Sequence, residues 1–224
     1  MADVIADPAD EETEEAYAVG TSAVVTTAFE QILLAVHTGE LLPGQRISDA
    51  ALAGKLGVSR TPVREALLRL REIGVVEASP SRFTRVANVT PRQTAQAFVV
   101  WHALYGALLD EAVPTASADL APALERDHAE FLRSMAALDI QAIATANFTF
   151  YQRLLGESRN LTLQRAITSV VHIVRLGSLH LPDYLDFAML AKAQALLITA
   201  VRGRDLAAAH IAMSFLKRID IPQV

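Results

Sequence analysis

The stretch Leu56-Gly57-Val58-Ser59-Arg60-Thr61-Pro62-Val63-Arg64-Glu65-Ala66-Leu67-Leu68-Arg69-Leu70 decides how the first third of the chain is read. Gly57 is the residue type that stops a helix. Ser59 is the type that starts one, and Pro62 is tolerated in a first turn, where the backbone amides have no intrahelical acceptor. Val63, Ala66, Leu67 and Leu70 then fall at i, i+3, i+4 and i+7, which is a core-facing stripe. Arg60, Thr61 and Arg64 fall on the opposite face, near the front of the helix. The helix runs to about Ile73, and Gly74 ends it.

Upstream, Thr21 to Thr38 is periodic: Val24, Ala28, Ile32 and Ala35 share a face with Val25, Phe29, Leu33 and Val36 beside it, an amphipathic helix. Gly39 closes it, and Leu41-Leu42-Pro43-Gly44 reads as a turn. Ser48 is an N-cap candidate with Asp49 favourably placed in the first turn of a short helix carrying Ala51, Leu52 and Leu56. Downstream, Val75–Ala78 and Phe83–Val86 are short β-compatible pieces around Ser79-Pro80-Ser81-Arg82, a hairpin. Residues 21–88 therefore read helix, helix, turn, helix, two-stranded wing. From Thr90-Pro91 onward the pattern is helical, with breaks near Pro114–Asp119, Leu138-Asp139, Gly156–Asn160, Leu181–Asp183 and Arg202–Asp205. About six helices with short connections over 91–220 predict a compact antiparallel bundle. The expected class is mostly α, a winged helix-turn-helix followed by an all-α bundle. Residues 1–20, acidic and poor in large apolar residues, are expected to be a disordered tail.

Composition bounds the function. The chain has 224 residues, 52 % hydrophobic and 20 % charged, enough apolar material for packed cores. It has no cysteine, which excludes disulfides, thiolate metal sites and cysteine nucleophiles. The apolar runs Val99–Leu109 and Ala188–Val201 are interrupted by polar residues and are shorter than the ~20 residues of a membrane span. The acidic start does not read as a signal peptide, so a cytoplasmic protein is expected. Net charge is −5, yet its distribution is uneven. Residues 1–25 hold seven acids and no base, 26–90 hold eight bases against six acids, and the rest is balanced at twelve each.

A helix laid in the major groove presents its N-terminal residues to base edges and phosphates. Arginine suits both, because its fork makes two parallel hydrogen bonds to guanine or phosphate. Ser59 and Thr61 can add hydroxyl donors to phosphates, and the helix N-terminus itself attracts anions. The two stretches Gly39 to Ser48 and Leu56 to Leu70, above all Ser59-Arg60-Thr61-Pro62-Val63-Arg64-Glu65-Ala66-Leu67, resemble the winged helix-turn-helix signature of GntR-type bacterial transcription regulators. The resemblance implies that Arg46, Ser59, Arg60, Thr61 and Arg64 meet DNA and that Ser81 and Arg82 at the wing tip reach the minor groove. Ala50 stands where some members carry a basic residue, and Phe83 where family wings often carry glycine.

The helical body resembles the FCD effector-binding bundle of the FadR subfamily, through its helix number, the Asn160-Leu161 step, and Asp205, Ala209 and Met213 in the family's Asp-x-x-x-Ala-x-x-x-Met spacing. Many members hold a divalent metal there through an aspartate and three histidines. In this chain the corresponding positions are Asn147, Tyr151, Gln194 and Leu216, a poor ligand set, so no metal and no cofactor is expected. His172 and His180 lie two turns apart, too far to share an ion. Phe98, Trp101, Tyr105, Tyr151 and Leu216, with Asn147, Gln194 and Arg175, are either core or the lining of a cavity for a largely apolar effector such as an acyl chain or acyl-CoA. The expected partners are a palindromic DNA operator, a small-molecule effector and a second copy of the chain. No phosphate loop, nucleophile elbow or evident carboxylate pair points to an enzyme. A helical ligand-binding or scaffold protein with a vestigial DNA-binding head is the alternative.

Overall fold

In the computed structural model, which describes residues 8–79, 83–179 and 186–217, the chain divides into two units, Met1–Ala87 and Asn88–Val224. In the first, α1 (Pro8–His37), α2 (Asp49–Leu56) and α3 (Arg60–Glu72) precede two antiparallel strands, β1 (Val76–Ser79) and β2 (Phe83–Val86). The stripe read from the sequence is the core: Val63, Ala66 and Leu70 are fully buried, against Val25, Ala28, Ile32 and Val36 of α1. Between α2 and α3 the chain turns at Gly57, whose φ of 67° is left-handed, a conformation glycine adopts without steric cost. Ser48 caps α2, its side chain accepting from the Ala51 amide.

Two features of this unit differ from the sequence reading. The wing has a third edge: Arg46 forms an isolated antiparallel bridge with Arg85, and the Ile47 amide donates to the Thr84 carbonyl at 2.8 Å. One bridged residue is too little to produce an alternating pattern. In addition, α1 extends back to Pro8 through the acidic stretch assigned to a disordered tail. Glutamate and alanine, abundant there, are good helix formers, and acids are favoured at a helix N-terminus.

The second unit is a bundle of α4 (Pro91–Ala112), α5 (Leu120–Ala136), α6 (Ile140–Gly156), α7 (Leu161–Leu179), α8 (Phe187–Gly203) and α9 (Leu206–Leu216). Polar residues at the breaks start its helices. Thr90 and Gln93 form a reciprocal capping box on α4, with Pro91 in the first turn. Asp139, Asp186 and Asp205 accept from amides in the first turns of α6, α8 and α9. Pairs α4–α7, α5–α6, α8–α9 and α5–α8 pack along their lengths over a core that includes Tyr105, Leu108, Phe131, Phe150, Leu154, Ile167 and Leu197, all fully buried. Asp127 of α5 takes two hydrogen bonds from the Arg153 guanidinium of α6, one at 2.9 Å. No described helix is long and apolar enough to cross a membrane.

Candidate nucleic-acid interface and ligand cavity

The front of α3 is held by its back. With Val63 and Leu70 fixed in the core, the helix can turn neither way, and Arg46, Ser59, Arg60, Thr61 and Arg64 are all exposed. Ser59 occupies the N-cap position in extended conformation, but its hydroxyl makes no capping bond. The N-cap position is the one read from the sequence, and the side chain remains available to an incoming acceptor. Thr61 sits one turn before Glu65, which pairs instead with Arg69 at 2.7 Å.

The two guanidinium groups share a partner that their spacing did not announce. Arg60 Nη2 lies 3.0 Å from both oxygens of Asp49, and Arg64 Nε donates to Asp49 Oδ2 at 2.6 Å. The Asp49 carboxyl is held below its ordinary range, first by Arg64 and then by Arg60, so it is ionised at neutral pH. This is an ion pair at the surface, since the Arg60 and Arg64 side chains are 55 % and 60 % exposed. Water competes well with such pairs, so the arginines are oriented by Asp49 without being sequestered. On the wing, Arg85 donates to Glu77 at 2.6 Å and lays its guanidinium over the Phe83 ring at 4.5 Å. Phe83, at the tip end of the hairpin, thus supports a cation on the wing. Ser81 and Arg82 lie outside the described residues.

In the bundle, α4, α6, α7, α8 and α9 enclose a cavity of about 80 Å³. Of the residues the sequence nominated, Phe98, Trp101, Asn147, Tyr151, Arg175 and Leu216 line it. Tyr105 and Gln194 stand behind it. Tyr105 is fully buried, its ring 4.4 Å from that of Trp101 and its hydroxyl donating to the Tyr151 carbonyl at 3.0 Å. Gln194, also fully buried, donates to Asn147 Oδ1 at 2.9 Å and accepts the contact of His128 Nδ1 at 2.9 Å. The positions that resemble metal-ligand sites are therefore occupied by an aromatic wall and an amide pair. Among the described residues no group of three or more histidines, cysteines or acids could hold an ion. His180 lies outside the described residues, while His172 is buried in α7.

Sequence reading missed Ile143, Phe148, Val174, Ser178 and Phe187, which also line the cavity. Phe148 was within reach of pattern reading, being an aromatic residue three before Tyr151 on one helix. The others carry no signal apart from the packing. Trp101 and Tyr151 meet edge to face with centroids 5.1 Å apart, and the Tyr151 hydroxyl, buried, has no hydrogen-bond partner. Arg175 Nη2 donates to Thr145 Oγ1 at 3.1 Å, and its guanidinium stacks 4.5 Å from the Phe148 ring.

Both units match known families. Residues 25–86 match the model of bacterial regulatory proteins of the gntR family, and residues 96–215 match the FCD domain. The chain is 30 % identical over 181 residues to an uncharacterized HTH-type transcriptional regulator in an unstable DNA locus of Streptomyces ambofaciens, covering 80 % of this chain and 75 % of that one. It is 27 % identical over 173 residues to a probable D-xylose utilization operon transcriptional repressor of Paenarthrobacter nicotinovorans, covering 72 % and 73 %. Among solved structures, McbR/YncC of E. coli has a similar fold, with a TM-score of 0.72 at 23 % identity over 88 % of this chain and 95 % of that one.

Proposed function

Because the chain belongs to the gntR family of bacterial regulatory proteins and is a transcriptional regulator with a helix-turn-helix head and an FCD effector-binding domain, we propose that it binds a palindromic operator as a homodimer and responds to a compact, mostly apolar effector held in the bundle without a metal. The observation that carries the DNA half is the pair Arg60 and Arg64, one turn apart at the front of α3, each more than half exposed on a helix locked from behind by buried Val63 and Leu70. Arg46, Ser59 and Thr61 flank them as phosphate-positioning groups. Two-fold symmetry of a dimer would match a palindrome. The exposed Val99 and Val100 of α4 offer apolar surface to a second copy.

The effector half rests on the cavity. Its wall is chiefly aliphatic and aromatic. A volume of about 80 Å³ corresponds to a handful of waters at roughly 10–15 Å³ each, which favours a compact ligand over a long acyl chain. Ligand binding would shift DNA affinity only to the extent that it favours one arrangement of the reading heads over the other.

The test starts with duplexes selected from a random library by the purified chain. Fluorescence anisotropy should show binding that weakens steeply with salt, as phosphate neutralisation requires. The double variant Arg60→Ala, Arg64→Ala should lose that binding while its far-UV circular dichroism stays that of the wild type. A wild-type chain that enriches no sequence, or a double variant that binds as well as its parent, would overturn the proposal.

A further inference from the structure

Three polar side chains on α5, α8 and α6 are joined end to end. Gln194, fully buried on α8, donates from Nε2 to Asn147 Oδ1 at 2.9 Å, and its Oε1 meets His128 Nδ1 of α5 at 2.9 Å. An amide oxygen only accepts, so the hydrogen in the second contact belongs to His128 Nδ1. The row therefore has one direction: His128 donates to Gln194, and Gln194 donates to Asn147. Neither His128 nor Gln194 lines the cavity, whereas Asn147 does. Its oxygen is engaged away from the cavity by Gln194, and among the described residues no hydrogen bond engages its Nδ2. One turn further along α6, Tyr151 lines the same cavity, and its buried hydroxyl has no partner. Burial pushes that phenol well above its ordinary range, so the hydroxyl keeps its hydrogen at neutral pH. Two uncharged donors, at i and i+4 of one helix, thus line a small and chiefly apolar chamber.

Resting on the reading of this cavity as the effector site, we infer that His128 and Gln194 are positioning residues that turn the Asn147 amide hydrogens toward the cavity, and that the effector is an uncharged molecule whose carbonyl oxygen accepts from Asn147 and Tyr151. A carbonyl oxygen carries two lone pairs and no hydrogen, so one such atom satisfies both donors, and a buried donor left without an acceptor is costly. An uncharged acceptor does this without taking a further charge out of water. The one cation on the wall, Arg175, gives Nη2 to Thr145 and lays its guanidinium 4.5 Å from the Phe148 ring. The direction of the row is what makes the site selective. Were it reversed, Asn147 would present its oxygen to the cavity and repel a carbonyl. Gln194→Glu performs that reversal: an ionised carboxylate accepts from both sides, so Asn147 must turn its hydrogens to position 194 and its oxygen to the cavity.

The experiment titrates the full chain by calorimetry with cyclohexanone, with methylenecyclohexane as the isostere that lacks the oxygen, and with cyclohexanecarboxylate as the charged counterpart. The ketone should bind saturably and about fivefold tighter than the alkene, the worth of one or two hydrogen bonds. Asn147→Leu and Gln194→Glu should each remove that preference while leaving the alkene as it binds to the wild type, a ratio that a merely structural role for Gln194 would not move. Thermal melts show whether the variants remain folded. Long-range 1H–15N spectra of the histidine-labelled wild type give a readout that needs no variant: His128 should carry a hydrogen on Nδ1. A hydrogen on Nε2 alone, a carboxylate that binds tighter than the ketone, or a folded Gln194→Glu that keeps the preference overturns the inference. Ketone and alkene binding alike overturn it too, but leave the cavity as the effector site. If no probe binds, the effector reading of the cavity falls with it. DNA binding, measured separately by anisotropy, tests the reading head independently of either result.

Discussion

At the scale of single residues, Asp49 is the side chain whose role the sequence concealed. Arg60 and Arg64 were legible because helical periodicity sets them on the face opposite Val63 and Leu70. Asp49 lies eleven and fifteen positions upstream of them, on another helix, and only the tight turn at Gly57 brings its carboxylate to both. It holds the two forks in one orientation and places a negative charge where a phosphate or base acceptor would arrive. Asp49→Asn removes the charge and relaxes the arginines together. The variant should bind random duplex more tightly than the wild type, because the face loses a like charge toward DNA. It should discriminate several-fold less between selected operator and random sequence, because two unfixed arginines read base edges less strictly. Anisotropy competition measures both. A variant with unchanged discrimination would reduce Asp49 to an incidental surface pair.

At the scale of elements, period marked the second half of α1 and all of α3, and breaks in the pattern marked the bundle helices, whereas of the residues that cap helix starts, Ser48, Thr90, Asp139, Asp186 and Asp205, all bonding first-turn amides, only Ser48 was nominated from sequence. How closely two helices approach is not written in either one alone. Gly177 of α7 crosses α4 so tightly that a Cβ there would lie 1.8 Å from Thr94 Oγ1 and 2.7 Å from Thr94 Cβ. Thr94 is itself buried, β-branched and bonded to the Thr90 carbonyl at 3.0 Å, so it has little room to yield. Gly177→Ala should therefore force α4 and α7 apart at a cost of about 1–3 kcal/mol. Gly156, at the end of α6, has nothing within 4 Å of its would-be Cβ. Gly156→Ala should be neutral or stabilising by up to about 1 kcal/mol. Thermal melts of the two variants check this, and equal effects would mean that the α4–α7 crossing is looser than drawn. The cavity lining has the same origin. Trp101 and Tyr151 could be nominated from their types, but Val174 and Phe187 become neighbours only when α7 and α8 close over α6.

For the molecule as a whole, which divides into two units, an acid response of the helical bundle lies in histidines that the sequence showed as scattered and unremarkable. His172 is 4 % exposed, and burial, aided by the charge of Arg175, pushes its pKa from 6.5 down to about 4. His102 is lowered as well, by burial first, although its bond to the Met213 carbonyl opposes the shift. Both are neutral in the folded bundle at pH 7. As pH falls below about 6.5, the unfolded chain takes up protons that the folded bundle refuses. The stabilisation is therefore fully present above that pH and is lost progressively as pH drops toward 4. For His172 alone the full loss is on the order of 3 kcal/mol. Calorimetry at pH 7 and pH 5 should show the transition of the helical bundle moving down, and His172→Phe should move less between the two. If wild type and variant shift alike, His172 is not the acid-sensitive element. The same burial that excludes protons from His172 leaves Arg175 Nε without a hydrogen-bond partner, so both features trace to one wall of α7.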